Sequence, residues 1–369
     1  MEFEINKAVV DDALIWVNRF LATRNVTPSL TCIRIIAQSG KVSISAANIE
    51  TYTTAEVEAH ITKEGEAIVV GKTLLDIVRQ LPDGAVSFKV ANNKLEVEAG
   101  KFFGKYPLVA TEIIKQELGD DMTEFEVSTP EFAKLISKVG IAVAKDDSTP
   151  ILTTIKFDIS GHVLTATAID RYRVAKMLID VKNPTSKEFS VNVKFKNIST
   201  IVNGLDKSST LKLQYDANSQ KFGVDAVTKQ TISTLIAGEF PNTDGLFKEE
   251  YKTTAVVPTK ALLDAINRAS VLSDVSHPIT FSLTPNLLTI ENQENDASAK
   301  EDVQVEYSGD EMEIKFNSSY IKDGMTQFEC EKVKFKIDEP SKPVEVVGID
   351  KDGNELKEYR YVIVPIRTV

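Results

Sequence analysis

The sequence predicts an α+β fold of three repeated domains, each with two helices on antiparallel sheet. Length is the first observation, because 369 residues exceed the size at which a single hydrophobic core keeps growing. The second is a repeat: TPSLTCIRI, TPILTTIKF and HPITFSLTP each place a proline ahead of an alternating strand. Their prolines, Pro28, Pro150 and Pro278, lie 122 and 128 residues apart. Together with polar turns, this repeat predicts domains at 1–123, 124–248 and 249–369.

A helix-like stretch precedes the proline in each repeat. The three stretches are VDDALIWVNRFLATR, PEFAKLISKVGIAVAKD and TKALLDAINRASVLSD. In the second, the apolar residues follow the spacing of an amphipathic helix with one buried stripe, namely Phe132, Leu135, Ile136, Val139 and Val143. Thr129-Pro130 and Pro258-Thr259 predict helix starts, with proline in the first turn and threonine as a cap.

A second repeated element reads strand, short helix, turn, strand. Its copies are AIVVGKTLLDIVRQLPDGAVSFKV, FSVNVKFKNISTIVNGLDKSSTLKLQY and MEIKFNSSYIKDGMTQFECEKVKFKI. The predicted helix ends, Leu81, Leu205 and Phe328, are spaced by 124 and 123 residues. The remaining segments, such as KVSISAANIE and KLEVEAG, alternate with period two and predict antiparallel strands.

The stretch GEAIVVGKT, Gly65 to Thr73, resembles a nucleotide-binding P-loop at its end. A P-loop needs glycine, four residues and then Gly-Lys-Ser/Thr, but here Glu66 stands where the first glycine belongs. The intervening Ala-Ile-Val-Val favours a strand over a phosphate cradle. The other two copies of this element also lack Gly-Lys-Thr. We therefore interpret Gly71-Lys72-Thr73 as the start of a short helix.

Catalytic and metal-binding patterns are not found in the sequence. His60, His162 and His277 are scattered singly without the spacing of metal ligands, and we interpret them as structural. Cys32 and Cys330 are expected to be reduced, buried thiols. The sequence predicts no catalytic residues, no metal and no cofactor, and hence no enzyme. It has no long apolar run and no signal peptide, which predicts a cytoplasmic protein without membrane partners.

Charge is distributed unevenly along the chain. The net charge of −11 excludes a uniformly basic surface for nucleic acid, but it allows one basic face. The predicted helical windows hold 12 basic and 8 acidic residues, against 31 and 46 elsewhere; the windows are 11–24, 72–80, 130–146, 194–203, 259–274 and 318–327. If the charges were distributed evenly over a solvated surface, the helices would also carry a net negative charge. The net positive charge of the helical windows is expected if the helices face a polyanion and the sheets face solvent.

Over its full length the chain resembles the bacterial sliding clamps, the β subunit of DNA polymerase III. The resemblance is carried by LLDIVRQLPDGA, LTATAIDRYRVAKM, LIAGEFPNTDGLF, VEYSGDEMEIKFNSSYI and YVIVPIR, in this order on a threefold repeat. It implies the DNA-clamp fold and a head-to-tail homodimeric ring around double-stranded DNA, with helices lining the hole. Such a ring is a non-catalytic processivity factor, associated with the nucleoid, that a separate ATPase loads.

The resemblance also implies residues that face DNA. Arg24 aligns with a DNA-facing arginine of the family, and Lys196 aligns with a DNA-facing lysine. The helix interpretation alone adds Lys72, Arg79, Lys134, Lys138, Lys145, Lys194 and Arg268. Each of these, taken singly, is equally compatible with an ordinary surface cation. A ring held on DNA by topology needs only weak phosphate contacts.

The family binds partners in an apolar pocket between its second and third domains. That pocket receives short peptides of the kind Gln-Leu-x-Leu-Phe from the polymerase III α subunit, the clamp loader and repair polymerases. The corresponding positions, which core packing alone would also explain, are Leu152, Ile169, Arg171, Tyr172, Arg173, Val174, Pro241, Leu246, Val362, Val364, Pro365, Ile366 and Arg367. The family usually has Asp-Gly-His-Arg-Leu where this chain has Asp170-Arg171-Tyr172-Arg173-Val174, so the preferred peptide is expected to differ.

For the ring interface, Val271 and Leu272 match an apolar pair in the third domain of the family. Phe103 and Tyr106 are the candidates for its partner in the first domain. The hypothesis from a different class is a clamp-like peptide-binding scaffold that has lost DNA encirclement. The altered pocket motif and the modest basic bias leave this alternative open.

Overall fold

The computed structural model describes residues 1–22, 27–206, 210–272, 278–294 and 297–367, without the side chains of 184–186, 272 and 294. The chain forms two compact units. Unit 1 comprises 1–133, 181–187 and 196–235, and unit 2 comprises 134–180, 188–195 and 236–369. The middle repeat is thus divided between them.

Six α-helices lie in the described part of the chain, two in each repeat. They are α1 (Lys7–Asn18), α2 (Gly71–Gln80), α3 (Thr129–Gly140), α4 (Phe195–Val202), α5 (Thr259–Ala269) and α6 (Ser318–Met325). The predicted fold class is confirmed, although several helices are shorter than the predicted windows. Helix α1 begins before residue 11 because the Asn6 side chain accepts the N–H of Ala8 at 2.9 Å and caps the helix there.

Two predicted helix details are wrong. Helix α3 ends at Gly140 rather than at 146, and a Cβ on Gly140 would lie 2.4 Å from the ring of Phe195, so glycine permits a close approach there. The predicted threonine cap of α5 is replaced by Pro258, which makes no side-chain cap bond. The five residues of the predicted apolar stripe are all buried, but Val143 lies beyond the end of α3.

Twenty-four strands lie in the described part of the chain and are numbered in chain order. In the first repeat they are β1 (Glu2–Asn6), β2 (Cys32–Gln38), β3 (Lys41–Ala47), β4 (Thr51–Glu58), β5 (His60–Lys63), β6 (Gly65–Val70), β7 (Ala85–Ala91), β8 (Lys94–Ala99) and β9 (Phe102–Pro107). In the second they are β10 (Thr123–Ser128), β11 (Thr154–Ile169), β12 (Arg173–Lys194), β13 (Thr210–Asp216), β14 (Lys221–Asp225) and β15 (Lys229–Thr234). In the third they are β16 (Thr253–Pro258), β17 (Pro278–Thr284), β18 (Leu287–Glu294), β19 (Ala297–Gln304), β20 (Glu306–Ser308), β21 (Met312–Asn317), β22 (Lys332–Ile337), β23 (Val344–Ile349) and β24 (Glu355–Ile363).

Unit 1 contains two antiparallel sheets. One has the strand order β5-β1-β7-β8-β9, and the other has the order β10-β13-β14-β15-β4-β3-β2-β6. The second sheet joins the first repeat to the second, since β15 pairs with β4 from Lys229 opposite Ala55 to Ser233 opposite Thr51. The buried hydroxyls of Thr53 and Thr231 hydrogen-bond across this junction at 2.8 Å.

Unit 2 is built in the same way. One sheet has the order β11-β12-β24-β23-β22-β16-β20, and the other has the order β19-β18-β17-β21. Here β12 of the second repeat pairs antiparallel with β24 of the third, from Arg173 opposite Ile363 to Met177 opposite Tyr359.

The strand orders show which strands are equivalent. Each repeat contributes a row of four neighbouring strands. The rows are β1-β7-β8-β9, β10-β13-β14-β15 and β16-β22-β23-β24, so β9, β15 and β24 are equivalent last strands. Strands β4, β12 and β19 likewise each begin another row of their repeat, in the order β4-β3-β2-β6, β12-β11 and β19-β18-β17-β21. The pairings β15–β4 and β24–β12 therefore use the same two edges, and no described strand lies beside the outer edges of β9 and β19.

Packing explains the glycine of the P-loop-like stretch. Gly71 is buried at the start of α2, where a Cβ would lie 2.5 Å from the side chain of Leu21 and 2.8 Å from that of Ile33. The neighbouring Lys72 pairs with Asp76 one turn later, at 2.7 Å. Gly71 is thus needed for helix–sheet packing.

The isolated cysteines and histidines differ in burial. Cys32 is buried as predicted, whereas Cys330 is only half-buried and its thiol donates to the carbonyl of Lys332 at 3.0 Å. His60 and His162 are exposed, and His277 lies outside the described residues. Within the described ranges, no group of three metal-ligating side chains occurs. Nor does any described helix have the length and apolarity to cross a membrane.

Candidate functional site

The predicted pocket residues lie in unit 2, around the junction of β12 and β24. A tight turn leads into β12, and the Asp170 carboxylate organises it by accepting the N–H groups of Tyr172 and Arg173, both at 3.1 Å. On the other strand, Val362 is fully buried opposite Val174. The N–H of Val364 donates to the carbonyl of Tyr172 at 2.8 Å and extends the junction beyond β24.

Arg173 is the buried cation of this site. It is 2% exposed, and its Nε lies 2.8 Å from Asp170 Oδ2 while its Nη1 lies 2.8 Å from Asp323 Oδ2. The guanidinium also lies 4.3 Å from the ring centroid of Tyr320. A buried guanidinium is costly unless it is paired, and these carboxylates supply the pairing. The same contacts connect the start of β12 to α6.

Arg171 has a strained backbone. Its φ is +78°, a conformation in which a residue with a Cβ is disfavoured by about 1–2 kcal/mol. Its Nη2 donates to the Thr149 hydroxyl at 2.6 Å, and Thr149 directly precedes the short 3-10 helix Pro150–Thr153 that contains Leu152. Arg171 thus links the two loops that carry predicted pocket residues.

Tyr172 is exposed beside a second tyrosine. Its side chain is 55% exposed, and its ring stacks on that of Tyr320 with centroids 6.0 Å apart. Tyr320 is held by its backbone, since its carbonyl accepts the Tyr361 hydroxyl at 2.8 Å. Sequence analysis missed Tyr320 and Asp323, because nothing in the spacing of α6 relates them to a turn some 150 positions earlier in the chain.

The segment that contains Leu246 is held against the same junction. The ring of Phe247 lies 5.2 Å from Lys176 Nζ and 4.6 Å from Arg360 Cζ, two residues that face each other on β12 and β24. Behind it, the fully buried carboxylate of Glu345 accepts Arg360 Nε at 2.5 Å and the Tyr251 hydroxyl at 2.7 Å. A buried charge network therefore fixes this segment.

The predicted pocket residues differ in accessibility. Five are buried: Leu152, Arg173, Val174, Val362 and Pro365. Four are half-buried: Ile169, Pro241, Leu246 and Val364. Four are exposed: Arg171, Tyr172, Ile366 and Arg367. The predicted set therefore combines buried side chains with exposed ones.

The predicted DNA-facing cations are mostly paired with carboxylates. Arg268 makes a bidentate pair with Glu301 at 2.6 and 2.9 Å. Three more follow this pattern: Lys72 with Asp76 at 2.7 Å, Arg79 with Asp11 at 4.0 Å, and Lys134 with Glu329. Lys145 and Lys196 are exposed, Lys194 is half-buried, and Arg24 lies outside the described residues.

Lys138 requires a correction. Its side chain is buried, its ammonium donates to the carbonyl of Gln327 at 2.5 Å, and it lies 5.4 Å from the ring centroid of Tyr359. Burial lowers the pKa of this ammonium, although Glu329 opposes the shift. An ammonium enclosed in this way is not available to a phosphate, so the predicted role of Lys138 is wrong.

The predicted interface residues lie at sheet edges. Phe103 is 54% exposed and Tyr106 is half-buried, both on β9. Val271 is 80% exposed in the short 3-10 helix Ser270–Leu272, next to the sheet that ends in β19. The side chain of Leu272 lies outside the described residues. Phe102, 37% exposed on the same free edge as Phe103, was missed by the sequence analysis.

Three family profiles match the chain in sequence order. The N-terminal, central and C-terminal domains of the DNA polymerase III beta subunit match residues 1–108, 126–242 and 245–367. The beta sliding clamp of Micrococcus luteus is 30% identical over 312 residues, which cover 82% of this chain and 98% of that protein.

Solved structures agree in fold. The DNA polymerase sliding clamp of Bacillus subtilis superposes over all of both chains with a TM-score of 0.93 at 21% identity. The sliding clamp of Pseudomonas aeruginosa, solved bound to griselimycin, also superposes over all of both chains, with a TM-score of 0.91 at 23% identity. The profiles, the relative and the shared three-domain fold show that this chain belongs to the DNA polymerase III beta subunit family, the beta sliding clamps.

Proposed function

We propose that this sliding clamp is a non-catalytic processivity factor. Two copies join head to tail into a ring around duplex DNA, and each copy holds partner proteins by short peptides. The observation that carries the proposal is that β9 and β19, the remaining copies of the two edges that pair within the chain, have no partner strand among the described residues. Within the chain, β15 pairs with β4 and β24 pairs with β12, so the same two kinds of edge meet twice. Pairing of β9 in one copy with β19 in the other would repeat that junction.

The side chains near these edges support such an interface. An unpaired strand edge exposes backbone groups that invite pairing with another chain, and natural monomers protect such edges. Here Phe102 and Phe103 are exposed on β9, and Val271 is exposed beside β19. Because pairing is head to tail, each copy supplies both edges and a dimer satisfies all of them.

The described cations support weak DNA contacts. Arg268, Lys72 and Lys134 are neutralised by neighbouring carboxylates, so each must exchange its partner before it binds a phosphate. Lys196 and Lys145, which are exposed, are the best candidates for direct phosphate contact. Weak contacts suit a clamp that slides, since affinity from phosphate contacts falls steeply with salt.

The pocket at the β12–β24 junction supports peptide binding. Its buried and half-buried apolar residues suit the leucine and phenylalanine side chains of Gln-Leu-x-Leu-Phe peptides, such as those of polymerases and the clamp loader. Arg171 and Tyr172 are exposed next to these residues, where they would influence which peptides bind. The paired cations also favour the alternative, a peptide-binding scaffold without DNA encirclement, because they reduce the charge offered to DNA.

Topological retention on DNA separates the two functions. The test measures the solution mass by light scattering and the retention of protein on closed circular DNA before and after linearisation. The proposal expects twice the chain mass of 40.7 kDa and retention that is lost on linearisation. A monomer that binds the peptide but is not retained on circular DNA would contradict the ring and establish the scaffold.

A further inference from the structure

An exposed valine at a hairpin tip marks a second surface, in unit 1. Val227 lies between β14 and β15, is 83% exposed and has a φ of +70°. Among the described residues it is the only β-branched one with a positive φ. Glycine or asparagine would make the same turn without strain, so a turn alone does not explain this valine.

The local hydrogen bonds hold Val227 in this conformation. Its N–H donates to Asp225 Oδ1 at 2.8 Å, and the N–H of Thr228 donates to the carbonyl of Ala226 at 2.8 Å. The carbonyl of Thr228 in turn accepts the N–H of Glu56 on β4, also at 2.8 Å. The tip is therefore fixed to the sheet, while its apolar side chain remains largely exposed. Strain that surrounding contacts maintain is typical of functional sites.

A cavity of about 500 Å³ lies beside Val227, between the hairpin tip and α1. Its apolar walls are formed by Val227, Val9, Ala13, Ala55 and Val57. Val9 is itself 41% exposed on α1. The volume suits one or two aliphatic side chains.

The backbone beside the cavity suits an extended segment. Pairing between β4 and β15 ends at Ala55, whereas β4 continues to Glu58. Since Glu56 donates toward β15, Glu58 presents its N–H and carbonyl to the same side. No described strand lies beside Glu58 there. An extended peptide can add to such an edge while its alternate side chains enter a pocket.

The charged residues around the cavity indicate which residues of a bound peptide would flank its aliphatic side chains. Lys229 pairs with Asp12 at 2.8 Å, and Lys41 pairs with Glu56 at 3.5 Å. The carboxylate of Glu58 has no ion-pair partner among the described residues. The rim is therefore net negative and favours a basic occupant.

We propose that the cavity between α1 and the Val227 hairpin binds an extended peptide in which aliphatic residues alternate with basic ones. The aliphatic side chains fill the cavity against Val227 and Val9. The peptide backbone pairs with Glu58, and a basic side chain meets its carboxylate. This site is independent of the pocket at the β12–β24 junction and of ring closure.

Fluorescence anisotropy of two labelled peptides tests the proposal on the full-length protein. The probes are Lys-Leu-Lys-Leu-Lys and Lys-Ser-Lys-Ser-Lys, which carry the same charge. The leucine peptide is expected to bind about tenfold more tightly, a factor that one buried aliphatic side chain supplies. Equal affinity would show attraction by net charge alone and would overturn the site.

Variants localise the binding. Val227→Gly relieves the backbone strain, so it should raise the Tm or leave it unchanged while weakening the leucine peptide about fivefold or more. Glu58→Lys should also weaken it. Ile114→Gly, at another exposed aliphatic residue of unit 1, should leave the affinity unchanged. Unchanged affinity in Val227→Gly, or a loss in Ile114→Gly equal to that in Val227→Gly, would contradict the proposed location.

Discussion

The guanidinium of Arg173 and the carboxylate of Asp323 meet at 2.8 Å between Nη1 and Oδ2, although 150 positions separate them in the chain. This contact ties the first residue of β12 to α6 and, with Asp170, neutralises a cation that is 2% exposed. The predicted peptide site therefore contains a buried ionic network.

Replacing Arg173 by leucine should strongly destabilise unit 2. The substitution leaves Asp170, which is 10% exposed, without its cationic partner, and breaking a buried pair costs about 3–5 kcal/mol. Chemical denaturation should show an earlier transition, and peptide affinity should fall with it. Arg173→Lys keeps the charge but loses the fork that bridges Asp170 and Asp323, so its effect should be intermediate. A leucine variant as stable as the parent would contradict this role.

Replacing Arg171 by glycine should change peptide affinity more than stability. Glycine tolerates a φ of +78°, and the relief of strain roughly offsets the lost bond to Thr149, worth about 1 kcal/mol. With the rim opened, the affinity for a Gln-Leu-x-Leu-Phe peptide should rise several-fold in calorimetry. Thr149→Val removes the bond but keeps the arginine, and it should lower stability slightly. The idea fails if Arg171→Gly binds the peptide no better than the parent.

Charged substitutions at the free edges should dissociate the ring. Phe103→Asp and Val271→Asp each place a carboxylate where the proposed interface needs apolar contact. Light scattering should then report the single-chain mass at concentrations where the parent is a dimer. Ile49→Asp is the matched control, because Ile49 is 84% exposed but lies on neither edge. Dimers that persist in both edge variants would argue for a different interface.

Lys196 and Lys138 should behave differently in DNA retention. Lys196 is exposed, so Lys196→Ala should reduce the slope of log affinity against log salt by about one for each phosphate that the variant no longer neutralises. Lys138→Ala should leave that slope unchanged and lower the Tm instead, because the Lys138 ammonium bonds to the carbonyl of Gln327. The reverse pattern would restore Lys138 as a DNA-binding residue.

Asp216 should make stability depend on acid pH. The Ser219 hydroxyl and the Gly119 N–H donate to its carboxylate at 2.6 and 2.8 Å and lower its pKa to about 2. A carboxyl with a depressed pKa stabilises the fold fully above its unfolded value of about 3.9 and loses this contribution as the pH falls toward 2. Asp216→Asn should therefore lower the Tm at pH 7, and its gap to the parent should narrow below about pH 4. A gap that is constant from pH 7 to 3 would exclude the carboxylate as the cause.

The sequence predicted those features that depend on local periodicity. The six helices, the alternating strands and the three repeated units follow from spacing, because a buried stripe or face must recur with the period of its element. Helix ends were less accurate, since close packing such as that of Gly140 on Phe195 involves distant residues. The pocket residues were predicted only from the resemblance to the sliding-clamp family, because buried apolar residues follow the same pattern in any core strand.

By itself, the sequence determined the repeat, the α+β class and the strand followed by a helix at Gly71, all of which local pattern encodes. Tertiary structure alone decided that Lys138 is enclosed, that Arg173 is shared by Asp170 and Asp323, and that β9 and β19 keep unpaired outer edges among the described strands. The reason is physical. Burial and pairing depend on which distant segments meet, and strand pairing in this chain joins segments as far apart as β4 and β15.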